Sequence, residues 1–86
     1  MVRILIADDH TLLRQGPRRI LEERPDFTIV AEAGSGLEAV ELARQYQPDV
    51  AIVDIAMKEL NGIEATAALW RCSPRTAVLI RRSPTA

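Results

Sequence analysis

The chain opens on the stretch that decides its fold, Val2-Arg3-Ile4-Leu5-Ile6-Ala7-Asp8-Asp9. An unbroken apolar run rich in branched residues is typical of a strand that is buried on both faces of a parallel sheet. Residues 50–53 form a second run of this kind, and Asp54 follows them. Because parallel strands end at the same edge of a sheet, we expect Asp8, Asp9 and Asp54 to meet at the edge where open α/β sheets bind ligands.

Three carboxylates at one edge repel one another unless a cation lies between them, and their oxygens are the ligands that Mg²⁺ prefers. The pattern therefore predicts an acidic pocket that holds a divalent cation. The same residues also fit simpler roles, because an aspartate after a strand often caps the next helix or forms a turn. Two consecutive acids facing a third exceed what a cap requires, and we favour the pocket.

Strand and helix signals alternate along the rest of the chain. Strands are predicted at residues 2–7, 27–33, 49–54 and 76–80. A helix follows each of the first three strands, and the second helix begins with a capping box formed by Ser35 and Glu38. The order β-α-β-α-β-α-β predicts an α/β fold in which right-handed crossovers join parallel strands.

Apolar residues at helical spacing predict which helix faces pack against the sheet. In the second helix they are Leu37, Val40, Ala43 and Tyr46, and in the third they are Ile63, Ala67 and Trp70. Two features oppose the regular plan. Pro17 removes a hydrogen bond in the middle of the first helix, and a fourth strand near the end of the sequence would be an unprotected apolar edge.

Composition excludes several classes of protein. The 86 residues suffice for one domain, and eleven basic against twelve acidic side chains give a net charge of −1, which is no signature of nucleic-acid binding. We interpret the arginines at positions 71, 75, 81 and 82 as solvated. Cys72 is the only cysteine, and no stretch approaches the ~18 apolar residues of a membrane span. We therefore expect a soluble, cytoplasmic protein.

Three segments of the chain, taken together, resemble a known family. They are Ile4-Leu5-Ile6-Ala7-Asp8-Asp9-His10, the stretch Pro48-Asp49-Val50-Ala51-Ile52-Val53-Asp54-Ile55-Ala56-Met57, and Asn61-Gly62-Ile63-Glu64. In combination they are similar to the receiver domain of bacterial two-component response regulators, especially the subfamily with a LuxR-type helix-turn-helix (NarL/FixJ-like). The resemblance implies a flavodoxin-like (CheY-like) three-layer α/β sandwich with a parallel sheet of order 2-1-3-4, in which the fifth strand and the last helices are missing. Residues 1–80 would form the receiver domain, and residues 81–86 would be a tail outside the family pattern.

The resemblance also implies a function. Asp54 would accept a phosphoryl group from a sensor histidine kinase in a phosphorelay, and Mg²⁺ would be held by Asp8, Asp9, Asp54 and the backbone carbonyl of Ala56. The parent protein would be a cytoplasmic regulator of transcription rather than an enzyme. A homodimer is compatible with this family, DNA would be contacted only through a C-terminal domain outside this sequence, and no membrane is involved.

The sequence departs from the family pattern at four places. Lys58 stands where the family has a proline, and Pro17 stands where the first helix has an aliphatic residue. The family's fourth strand ends in a serine or threonine that contacts the phosphoryl group, and counting from Asp54 places that position at Arg82. The fifth strand, with its lysine, is missing. Because the hydroxyl and the lysine read the phosphorylated state, we expect metal loading rather than an ordinary activation switch.

Two other functions fit parts of the sequence. The segment Gly34-Ser35-Gly36-Leu37-Glu38-Ala39 matches the glycine fingerprint of dinucleotide-binding Rossmann folds, and Asp54 follows at the spacing of the ribose-binding acid. This reading leaves Asp8 and Asp9 without a role. The other alternative is a vestigial interaction or dimerisation module that carries out no phosphotransfer and recruits a partner strand at its open sheet edge.

Overall fold

The computed structural model describes residues 1–8, 18–54 and 62–81. Its strands are β1 (Val2–Ala7), β2 (Phe27–Ala33), β3 (Val50–Asp54) and β4 (Ala77–Arg81), and its helices include α1 (Gly36–Tyr46) and α2 (Gly62–Cys72). Residues 18–22 are also helical. Pro17 lies outside the described residues. Among the described residues, no helix combines the length and apolar character that crossing a bilayer requires.

The four strands form one sheet in which every pairing is parallel and the order is β2-β1-β3-β4. The predicted flavodoxin-like fold with order 2-1-3-4 is therefore confirmed. β1 lies between β2 and β3, which explains why its sequence is apolar at nearly every position. Ala7, the last residue of β1, is paired with Ala33 on one side and with Val53 on the other.

A compact core lies between one face of the sheet and the two helices. Its buried members are Leu5, Ala7, Ala33, Ala39, Ala43, Ala51, Val53, Ala65 and Leu69. Six of these nine residues are alanines, so the helices approach the strands closely. Side chains alternate between the faces of a strand, and the buried residues Ile4 and Ile6 therefore point to the opposite face. Arg18 forms an ion pair with Glu32, whose position in β2 puts it on that opposite face, and residues 18–22 supply the third layer there.

Helix α2, which is the third helix predicted from the sequence, does not bury the face of Ile63 and Trp70 that was predicted to pack against the sheet. Ile63 is 65% exposed and Trp70 is 54% exposed, whereas Ala65 and Leu69 are fully buried. The prediction failed because the helix carries apolar residues around most of its circumference, so its spacing fits two faces. Ala65 and Leu69 belong to the same buried cluster as Ala39 and Ala43 of α1, and these small side chains allow the two helices to pack closely.

Helix α1 follows its prediction in part. Ala43 is buried and Val40 is half-buried, but Leu37 and Tyr46 are exposed, and Ala39 takes the inward position instead. The predicted capping box at its start is present in modified form. The Glu38 amide donates to the Ser35 hydroxyl at 3.2 Å, while the Glu38 carboxylate accepts from the Gly34 amide at 2.6 Å instead of from Ser35.

Gln47 ends α1 and connects it to α2. Its backbone has φ 48° and ψ 61°, in the left-handed region, and its amide donates to the Ala43 carbonyl. The side-chain amide donates to the carbonyl oxygen of Cys72, the last residue of α2, at 2.8 Å. The two helices are therefore held together at their carboxyl ends by one side chain.

Asp49 aligns the beginnings of three strands. The Arg3 amide donates to the Asp49 carboxylate at 2.8 Å, and the Asp49 amide returns a hydrogen bond to the Arg3 carbonyl. The Asp49 carbonyl accepts from the Ala77 amide at 2.9 Å. Because these contacts fix the mutual register of β1, β3 and β4, they also determine which residues lie side by side at the other end of the sheet.

Candidate functional site

Two of the predicted acidic residues lie side by side at the carboxyl edge of the sheet. Asp54 is the last residue of β3, and Asp8 directly follows β1. Since Ala7 is paired with Val53, the register carried one residue further brings Asp8 beside Asp54. The Asp8 amide donates to the Ala33 carbonyl at 3.0 Å, so the backbone of Asp8 is also held by β2.

Both carboxylates are withdrawn from solvent. Asp8 and Asp54 are fully buried, which is exceptional for acidic side chains. Strand alternation puts them on the face that Ile4 and Ile6 share, away from α1 and α2. Burial removes the hydration of two like charges that lie on adjacent strands, and a nearby positive charge is the ordinary compensation. The pair is therefore suited to holding or receiving a charged group.

Such a positive charge is present in the structure. Arg81, the last residue of β4, is paired with Asp54, and its Nη1 atom lies 3.9 Å from Oδ2 of Asp8. Neighbouring strands are about 4.8 Å apart, so the guanidinium spans the width of β3 to reach Asp8. Its side chain is 26% exposed. At one edge of the sheet, three consecutive strands thus contribute an acid, an acid and a base.

Sequence reasoning missed the role of Arg81. We interpreted it as a solvated arginine, and counting from Asp54 pointed to Arg82, which lies outside the described residues. The strand register pairs Asp54 with Arg81, the residue before that position. The available signal was a basic residue directly after the apolar residues 77–80, which is the position that Asp54 holds after residues 50–53. Arg71 and Arg75 are exposed, in agreement with the solvated interpretation.

The other predicted metal ligands, Asp9 and the Ala56 carbonyl, lie outside the described residues, as do His10 and Lys58. Within residues 1–8, 18–54 and 62–81, no three acidic, histidine or cysteine side chains form a group that could hold a metal ion. What the described part contributes is two buried carboxylates, and this donor type fits Mg²⁺, a hard cation that prefers oxygen. These two residues also account for one-half of the predicted ligand set.

The glycine turn of the dinucleotide alternative serves as a helix cap. The Glu38 amide is occupied by Ser35, and the Gly34 amide is occupied by the Glu38 carboxylate, whose negative charge opposes a pyrophosphate at this helix start. Asp54 lies two strands away from β2, with β1 between them. The structure does not bring the parts of this fingerprint together.

Comparison with known proteins gives consistent matches. The family model of the response regulator receiver domain matches residues 4–82. The chain is 46% identical over 79 residues to the transcriptional regulatory protein DegU of Brevibacillus brevis, covering 92% of this chain and 34% of that protein. It is 37% identical over 83 residues to a protein-glutamate methylesterase/protein-glutamine glutaminase of Nitrosospira multiformis, covering 96% of this chain and 23% of that protein.

A solved structure matches the fold as well as the sequence. The crystal structure of a two-component response regulator of the LuxR family from an Aurantimonas species superposes with a TM-score of 0.90 at 35% identity, covering 100% of this chain and 61% of that one. The chain spans about a third of DegU and less of the methylesterase. One of these relatives is a regulator of transcription and the other an enzyme, and both match over nearly the whole of this chain. The sheet order, the acidic edge and the match over residues 4–82 show that this chain belongs to the response regulator receiver domain family.

Proposed function

We propose that this receiver domain accepts a phosphoryl group on Asp54 from a phosphohistidine of a sensor histidine kinase. The observation that carries the proposal is the buried pair of carboxylates, Asp8 and Asp54, on adjacent central strands at the ligand-binding edge of the sheet. Asp54 would act as the nucleophile, and Asp8 would help to hold the positive charge that the reaction needs.

The residue types suit phosphoryl transfer. A carboxylate oxygen of Asp54 attacks phosphorus, the bond from phosphorus to the donor nitrogen breaks, and the departing imidazole keeps the electron pair and takes up a proton. Such transfer asks the protein mainly for alignment and charge neutralisation. Strand β3 supplies alignment, because the Asp49 contacts fix its register against both neighbours.

Mg²⁺ is the cation that this donor set fits. Asp8, Asp9, Asp54 and the backbone carbonyl of Ala56 would hold it. When bound, it would offset the repulsion between the carboxylates and the anionic phosphoryl group. The ligand set is part of the proposal, with Asp9 and Ala56 entering through the family resemblance and Asp8 and Asp54 through their shared position.

The wider role is proposed from the relatives. The 46% identical relative is a transcriptional regulatory protein, so we propose that the parent protein controls transcription from the cytoplasm and contacts DNA through a separate domain. The receiver unit expected at residues 1–80 is proposed to extend through Arg81, because Arg81 ends β4 and the family match continues to residue 82. A homodimer is proposed only as a mode of assembly that this family permits.

Acetyl phosphate with MgCl₂ tests the proposal, followed by intact mass measurement of the purified chain. We expect one added phosphoryl group that hydroxylamine removes, and no adduct in Asp54→Asn. Asp26→Asn is the matched control, because Asp26 is an exposed turn residue far from the acidic edge and should be phosphorylated like the wild type.

Circular dichroism establishes that each variant is folded. An adduct that persists in Asp54→Asn would contradict the assignment of the phosphoacceptor. If a folded wild-type chain shows neither an adduct nor Mg²⁺ binding by calorimetry, the vestigial interaction module becomes the better description.

A further inference from the structure

The geometry points to Arg81 as an internal counter-cation of the acidic pocket that competes with Mg²⁺ for Asp8 and Asp54. The inference rests on the proposed function, because it concerns the affinity of the proposed metal site. Its starting point is the ion pair between Arg81 and Asp8 across the end of β3.

A buried pair of carboxylates needs positive charge whether or not a metal is bound. Removing two acids from water is costly, and their mutual repulsion in a medium of low dielectric adds to that cost. Arg81 places a guanidinium, which stays positively charged in proteins, at 3.9 Å from one of them. The metal-free protein therefore carries its own compensating cation.

The contact between Arg81 and Asp8 is one that a metal ion can displace. At 3.9 Å it is an attraction between charges, and within the described residues the Arg81 Nη1 atom donates no hydrogen bond. The arginine lies on β4, an end strand among those described, and its side chain is partly open to solvent. A long side chain in this position can turn outward, where its charge is hydrated.

Two cations cannot share the pocket without repelling each other. Mg²⁺ held by these carboxylates would be close to the guanidinium. Binding would therefore either displace the Arg81 side chain or be weakened by the repulsion between the two cations. In both cases the measured affinity for Mg²⁺ is lower than the two acids alone would give.

The test measures Mg²⁺ affinity by isothermal titration calorimetry on the full chain, in the wild type and in Arg81→Gln. We expect Arg81→Gln to bind Mg²⁺ roughly tenfold more tightly, a change of the size that one lost charge pair at this distance allows. Arg81→Lys keeps the positive charge and should bind close to the wild type. Arg71→Gln, which removes an exposed arginine from the last turn of α2, is the matched control and should leave the affinity unchanged.

Thermal unfolding in a chelating buffer provides a second readout. In that buffer the melting temperature of Arg81→Gln should be lower than that of the wild type. Added Mg²⁺ should raise the melting temperature of Arg81→Gln more than that of the wild type. If Arg81→Gln does not fold in any buffer, the inference is tested by comparing the Mg²⁺ affinity of the wild type with that of Arg81→Lys. Because the lysine retains the positive charge, the two affinities should be similar, and a clear difference between them would overturn the inference.

Different results would overturn the role of Arg81 and the proposed metal site. Equal Mg²⁺ affinity in the wild type and in Arg81→Gln, with binding lost in Asp54→Asn, would overturn the role of Arg81 and leave the proposed function standing. Absence of Mg²⁺ binding in every folded variant would overturn the proposed metal site and the competition with it.

Discussion

Gln47 shows how much one exposed residue contributes to the arrangement of two helices. It adopts a left-handed backbone conformation that is unfavourable for a residue with a Cβ atom, by about 1–2 kcal/mol. In that conformation its side chain reaches the carbonyl of Cys72 at 2.8 Å. A glycine, the usual residue at such helix ends, would remove the strain but could not make the contact.

Substitution of Gln47 separates these two effects. We expect Gln47→Ala to lower the free energy of unfolding by about 1–2 kcal/mol, because alanine keeps the backbone strain and loses the side-chain hydrogen bonds. The free energy of unfolding of Gln47→Gly should be within about 1 kcal/mol of the wild-type value and higher than that of Gln47→Ala, because glycine removes both the side-chain contact and the backbone strain. Urea denaturation measures both. Equal stability of the two variants would show that the left-handed conformation is not maintained in solution.

At the same scale, the acids at the sheet edge could be predicted and their basic neighbour could not. Asp8 and Asp54 were found because each follows an apolar run, and the ends of parallel strands coincide. Arg81 was missed because its position depends on the register of β4, and a shift of one residue moves a side chain to the other face. Nothing in the spacing of the sequence specifies that register, which the contacts of Asp49 establish.

At the scale of elements, the strands follow from sequence more closely than the helix faces do. Two predicted strands have the observed bounds, β3 begins one residue later than predicted, and β4 both begins and ends one residue later. A strand of continuous apolar residues has few alternatives. Helix α2 could bury more than one face, because it carries apolar residues on several sides. Packing against α1 selects the face of Ala65 and Leu69 over that of Ile63 and Trp70.

Two adjacent residues of α2 test which face is buried. Leu69→Ala should lower the free energy of unfolding by about 2–5 kcal/mol, because it leaves a cavity in the core. Trp70→Ala removes a larger side chain from a position that is 54% exposed, and we expect a loss of about 1 kcal/mol or less. Chemical denaturation of the two variants gives the comparison. A larger loss for Trp70→Ala would mean that the helix is turned as its sequence first suggested.

At the scale of the whole molecule, the sheet order came from the family resemblance, not from composition or spacing. Alternating strands and helices predict parallel pairing but leave several strand orders open. The position of β1 between β2 and β3 explains why its residues are apolar on both faces and why Asp8 has neighbours on two sides. The proposed pocket thus depends on an order that local sequence does not specify.

The two sides of β4 should differ in how fast their backbone amides exchange with deuterium. The amide of Ala77 donates to the Asp49 carbonyl, and in a parallel ladder the amides of alternate residues point the same way, so those of Leu79 and Arg81 also face β3. The amides of Val78 and Ile80 point away from it, where no described strand lies. We expect these two to exchange within the earliest time points by NMR, whereas the amides of β1 persist longest. Slow exchange at Val78 and Ile80 would reveal that a further strand, from this chain or from another copy, lies along that side.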